Sequence, residues 1–210
     1  FRTYYDKELI AFGADSALVS GTYNAAGRGQ RMEVLLRQGR TRQMKRNGVR
    51  IAAGATEQCL KAILFSPDDL AMIRGAAALR RKMLDAAIVQ LRPGYAPILA
   101  EYRKLQESKT RILRDWREKP SLLDTLDVYS ESMCRASAKI IRYRSSFVKR
   151  LCESAAAVQR EFSRGAEELS LTYTTVSTVP DATAPEKEIY AAVCERQRQL
   201  RQAELDSGLC

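Results

Sequence analysis

Apolar and polar residues alternate with period two through the first quarter of the chain, then recur every three to four residues. Ala17 to Tyr23 and Gln30 to Arg37 read as strands, the second with Met32, Val34 and Leu36 on one face. Thr41 to Lys45 and Val49 to Ile51 flank Arg46-Asn47-Gly48, and Asn-Gly is a strong hairpin signal because both residues tolerate positive φ. Turns at Gly27-Arg28-Gly29 and Gln38-Gly39-Arg40 complete a predicted antiparallel meander with one apolar face. A short helical turn over Asp6 to Ile10 precedes it. A helix at about Thr56 to Lys61 and a short buried strand, Lys61 to Phe65, are expected to follow.

That strand should end in Ser66-Pro67-Asp68-Asp69-Leu70 and open directly into a helix. Ser66 suits the N-cap, Pro67 the first helical position, and Asp68 and Asp69 the positive end of the helix dipole. The helix carries Arg74-Gly75 and Arg80-Arg81-Lys82 and should stop at Pro93-Gly94. Tyr95, Ile98, Tyr102, Leu105, Lys109, Ile112 and Trp116 then keep the spacing of a coiled-coil seam, with Lys109 as its polar intruder. After Lys119-Pro120, Ser121-Leu122-Leu123-Asp124 reads as a capping box. The helix it opens carries Leu122, Leu126, Tyr129, Met133, Ala136, Ile140, Tyr143 and Phe147. A one-residue shift then leads to Leu151, Ala155, Val158 and Phe162. Ser121 to Arg164 would be roughly 65 Å of helix against about 33 Å for its partner. Its first half should pair back on the preceding helix, and its second half should dock on a globular head. Gly165 suits a helix C-terminus. Leu169, Leu171 and Tyr173 alternate with polar residues as one more strand, Thr178 to Pro185 is expected to be the most mobile loop, and Glu186 to about Asp206 is a last helix.

Composition narrows the function. The 210 residues carry a net charge of +10 with no histidine, which removes self-contained Ser/His and Cys/His hydrolases. Five cysteines, odd in number and without a C-x-x-C pair, argue for a reducing cytoplasm and against a disulfide framework or zinc site. With no membrane-type amphipathic segment, the positive excess favours a polyanion, nucleic acid first. From Arg28 to Arg50 eight cations face the single Glu33. They either protect edge strands from pairing or bind phosphates. Gly27-Arg28-Gly29-Gln30 is a turn and not a phosphate loop, since G-x-x-x-x-G-K-[ST] occurs nowhere in the chain.

Several runs together resemble the RecF family of bacterial recombinational repair proteins, which are SMC-like ABC ATPases. Leu64-Phe65-Ser66-Pro67-Asp68-Asp69-Leu70 with Arg80-Arg81-Lys82-Met83-Leu84-Asp85 is similar to its F-x-P-E/D-D-L … R-R-x-F-L-D run. Phe1-Arg2-Thr3 with Asp6-Lys7-Glu8-Leu9-Ile10 resembles the segment shortly after its ATP-binding loop. Gly165-x-Glu167-Glu168-Leu169-x-Leu171-x-Tyr173 and Glu204-Leu205-x-x-Gly208 resemble later family segments. The family's Walker A loop, L-S-x-G-Q signature and Walker B acids find no counterpart, so the chain is expected to be an internal segment without ATPase activity of its own.

The resemblance implies an α+β fold, a partial SMC/ABC-type ATPase head with an inserted antiparallel coiled-coil arm. Residues 1–92 would form the first head segment, 93–164 the arm and 165–210 the second head segment. It implies ATP and Mg²⁺ as cofactors of the complete protein, DNA with RecR and RecO as partners, a possible homodimer, and a cytoplasmic role in replication, recombination, repair and the SOS response. Arg2, Ser66, Asp68 and Asp69 would lie near nucleotide. Arg42, Lys45, Arg46, Arg74, Arg80, Arg81 and Lys82 would contact DNA, with salt bridging to Asp85 as the structural alternative for Arg80 and Arg81. A non-enzymatic coiled-coil scaffold that binds a protein partner is the competing reading.

Overall fold

Alternation at the start of the chain produces a four-stranded sheet whose strands lie in sequence order, all antiparallel. The strands are β1 (Ser16–Ala25), β2 (Arg28–Arg37), β3 (Gln43–Arg46) and β4 (Val49–Ile51). The computed structural model describes residues 5–25, 27–52 and 60–210, with the Asp68 side chain outside that description. Packing divides the chain into two units, Phe1–Ser66 and Pro67–Cys210. Among the described residues no helix is long and apolar enough to cross a membrane.

In the first unit a 3-10 turn, Asp6–Leu9, precedes the sheet. The β3–β4 hairpin turns on Asn47 (φ 50°) and Gly48 (φ 81°), the two positive values that a tight two-residue turn requires. Asn47 also braces the sheet: its side chain accepts from the Arg31 amide at 2.8 Å and donates to Gln30 at 2.8 Å. The strand expected at Lys61 to Phe65 is not formed. Residues 60–66 are irregular, and Ile63, Leu64 and Phe65 are exposed. A strand needs a neighbour for its backbone hydrogen bonds, and no described strand lies beside this one. The helix expected at Thr56 to Lys61 falls mostly outside the described residues; 60 and 61 are not helical.

The second unit is helical. A 3-10 turn (Pro67–Leu70) leads into α1 (Ala71–Arg74), and Gly75 separates it from α2 (Ala77–Leu91). The single helix expected here is thus two, because Gly75 adopts extended backbone (ψ −171°) and a Cβ there would lie 2.4 Å from the Ala71 carbonyl oxygen. Next come α3 (Tyr95–Asp115) and the forty-residue α4 (Leu123–Phe162), which pack antiparallel, and then α5 (Glu186–Ser207). The capping box at Ser121 does not form. Pro120 starts a 3-10 turn that absorbs Ser121, and Thr125 bonds the Leu122 carbonyl instead.

Three apolar clusters hold this unit. Leu84 and Ile88 of α2 meet Tyr95 and Leu99 of α3 and Ile140 and Val148 of α4. Ile112, Leu113 and Leu126 close the far end of the helical pair. Ala138 and Ile141 pack with Val179, Ala182 and Ile189. Beyond the shift in the α4 seam, Leu151 still packs on the first cluster, but Val158 and Phe162 are exposed, so docking of this half stops short of its end. The loop expected to be most mobile is tied down by buried Val179 and Ala182 and by Thr178 donating to the Ala192 carbonyl. No strand forms over Leu169 to Tyr173. The alternation is real, but it serves side-chain packing: Leu171 and Tyr173 lie against α4 without a backbone ladder. Gly165 (φ 80°) follows the end of α4, as the sequence predicts, and Gly208 (φ 70°) caps α5 in the same left-handed conformation.

Candidate nucleic-acid interface

Strand register sorts the cations of the first unit onto two faces. Directly paired residues in a sheet share a face. Val19, Val34, Met44 and Ile51 therefore define the apolar face, and the pairing Met32–Arg46–Val49 places Arg46 there too. The opposite face carries the row Ser20–Glu33–Lys45–Arg50, with Arg31 and Arg37 two and four residues along β2 from Glu33. Lys45 and Arg50 stand directly opposite each other, with Cα atoms about 4.5–5.5 Å apart. Glu33, the one acid in the row, is engaged by the Arg31 guanidinium at 3.1 Å. Among the described residues Lys45, Arg50 and Arg37 have no ion-pair partner. Like charges placed opposite in a sheet destabilise it, and a bound anion removes that repulsion.

The expected DNA-contacting residues are thus not all together. Lys45 sits on the charged face, Arg46 on the apolar one, and Arg42 precedes β3 and pairs with Asp6 at 3.1 Å. Arg31, Arg37 and Arg50 complete the face; the sequence marks them only as part of the basic run from Arg28 to Arg50, not among the individually expected DNA contacts. The signal was present in the two-residue turn, which fixes which positions pair across β3 and β4.

In the second unit Arg74, Arg81 and Lys82 are exposed and make no ion pair among the described residues. Arg80 braces the fold. Its guanidinium donates to the carbonyls of Met72 and Gly75, both at 3.0 Å, and ties the end of α1 to α2. Asp85 does not bridge to Arg80 or Arg81. Arg144 of α4 takes both its oxygens at 2.8 Å, and the Tyr95 hydroxyl donates to one of them at 2.7 Å. Burial works against the Arg144 charge, but Asp85 prevails and holds its pKa above the ordinary range. Burial also raises the Tyr95 hydroxyl, reinforced by the bond to Asp85. This cluster locks α2, α3 and α4 together.

Ser66 and Asp69 are half-buried around the 3-10 turn; Arg2 and the Asp68 side chain lie outside the described residues. Among the described residues no group of three or more acids, thiols or imidazoles is placed to hold a metal. Among the described residues this turn therefore presents one carboxylate, Asp69, and one hydroxyl, Ser66.

A mixed α/β chain with a four-stranded antiparallel sheet followed by packed helices is the fold seen in two solved recombination mediators. A structure of the recombination mediator protein RecF-ATPrS in the RecFOR pathway matches with a TM-score of 0.89 at 23% identity, covering 100% of this chain and 56% of that one. A second, RecF-ATP in the same pathway, matches with a TM-score of 0.88 at 24% identity. No protein-family model matches the chain. In sequence it is 31% identical over 205 residues to the DNA replication and repair protein RecF of Pelotomaculum thermopropionicum, covering 98% of this chain and 56% of that protein. RecF of Bacillus subtilis is 29% identical over 213 residues, with 99% of this chain and 56% of that protein covered. Similarity to RecF proteins therefore runs the length of this chain, which spans about 56% of the relatives it matches.

Proposed function

We propose that the chain is the DNA-contacting segment of a RecF-type replication and repair protein. The complete protein would bind gapped or single-strand/double-strand junction DNA in an ATP-dependent manner in the cytoplasm, with RecR and RecO, and support the SOS response. The observation that carries this reading is Lys45 opposite Arg50 on a face whose single acid is already taken by Arg31, in a chain similar throughout to proteins of DNA replication and repair. Lys45, Arg50, Arg31 and Arg37 would contact phosphates, and Arg74, Arg81 and Lys82 would do so from the second unit. Such contacts position nucleic acid without reading bases, which suits a protein that recognises DNA structure. Helices α3 and α4 would serve as the arm. ATP dependence belongs to the complete protein, with Arg2, Ser66, Asp68 and Asp69 contributing near the nucleotide.

The test is reversal of charge on the sheet face. Lys45→Glu with Arg50→Glu should weaken binding of a fluorescent gapped duplex at low salt at least tenfold, with the circular dichroism of the sheet retained. The scaffold reading expects unchanged DNA binding and an unaffected protein partner.

A further inference from the structure

Two thiols from different helices meet in the seam between α4 and α5, outside the candidate interface. Cys134 lies on α4 with 3% of its surface exposed, and Cys194 is half-buried on α5. The helices run antiparallel and ion pairs pin their register on both sides. Arg142 reaches Glu186 at 3.4 Å, and Arg201 pairs with Asp127. Cys134 is eight residues from Arg142 and seven from Asp127; Cys194 is eight from Glu186 and seven from Arg201. Both cysteines therefore stand at the same level of the seam, about two turns from either pin. Ile189 packing on Ala138 and Ile141 fits the same register.

We propose that Cys134 and Cys194 form an intramolecular disulfide when the protein meets a peroxide, stapling α5 to α4. The Cys134 thiol is pushed up to about 12, first by burial and then by its hydrogen bond to Cys194. Cys134 is thus a poor first target, and the more exposed Cys194 reacts first. Its thiolate attacks a peroxide oxygen, the O–O bond breaks, and a sulfenic acid forms; the released hydroxide takes up the proton that Cys194 gave away. The Cys134 sulfur then attacks the sulfenyl sulfur. The S–S bond forms, the S–O bond breaks, and the leaving hydroxide departs as water with the Cys134 proton. Two thiols and one peroxide give one disulfide and two waters.

A third thiol lies close by. The Cys210 Sγ is 3.9 Å from the Met133 Sδ, one residue along α4 from Cys134. Successive positions on a helix point about 100° apart, so Met133 and Cys134 present different directions, and the α5 register selects Cys194 as the partner.

The full chain, reduced and then exposed to excess hydrogen peroxide at mildly alkaline pH, is alkylated under denaturing conditions and mapped by proteolysis and mass spectrometry. The expected product is a crosslinked peptide pair containing Cys134 and Cys194, lighter than the two thiols by two hydrogen atoms and cleaved by dithiothreitol. The oxidised protein should melt roughly 5–10 °C above the reduced form. Cys194→Ser should leave Cys134 alkylated and remove the difference in Tm. Recovery of both cysteines as alkylated thiols, or of Cys134 joined to Cys210, would overturn the proposal.

Discussion

Lys109 occupies a position where the seam spacing asks for an apolar residue, and it is fully buried. Its ammonium bonds both oxygens of Glu204 on α5, at 2.9 and 2.7 Å, and Gln197 donates to one of the same oxygens at 2.6 Å. A buried pair of this kind is weak evidence for net stability but costly to break, because the survivor is left charged without water or a partner. Lys109→Ala should cost about 3–5 kcal/mol in urea unfolding, whereas Lys109→Met combined with Glu204→Leu should be neutral or stabilising. Equal costs for the single and double variants would mean that packing, not charge, governs the site. The sequence marked Lys109 as an intruder in the seam. It could not reveal the answering carboxylate, because Glu204 lies 95 residues away.

At the scale of the element, what was legible in the chain is what local chemistry decides. Period-two alternation with Asn47-Gly48 yields the meander; heptad-like spacing yields α3, α4 and α5; Gly165 and Gly208 mark the ends of α4 and α5. Gly48→Val should therefore destabilise the β3–β4 hairpin by about 1–3 kcal/mol, since a β-branched residue is strained at φ 81°. Faster amide exchange confined to residues 43–51 would report it, and unchanged exchange would contradict it. The two failed strands share one cause. Lys61 to Phe65 and Leu169 to Tyr173 both carry strand-like patterns, but a pattern specifies only which side chains are apolar, whereas a strand requires a paired neighbour. The break at Gly75 was hidden for another reason. Glycine within a helical run is ambiguous until Arg80 is seen holding the Met72 and Gly75 carbonyls.

At the scale of the molecule, the chain divides into a sheet unit with a charged face and a helical unit locked by Asp85–Arg144–Tyr95 and Lys109–Glu204. The positive excess suggested a polyanionic partner from composition alone. Which cations share a face became visible only through strand register, which separates Lys45 from Arg46 and joins it to Arg50.

The claim that this face binds DNA through phosphates is tested most directly by the salt dependence of binding. Affinity for a gapped duplex, measured by fluorescence anisotropy across a salt series, should fall linearly on a log–log plot, because each phosphate neutralised releases counterions. Lys45→Gln with Arg50→Gln should reduce the slope by about 1–2, since each of the two cations would otherwise neutralise one phosphate. A slope identical to that of the unmodified chain, with affinity unchanged, would contradict the account.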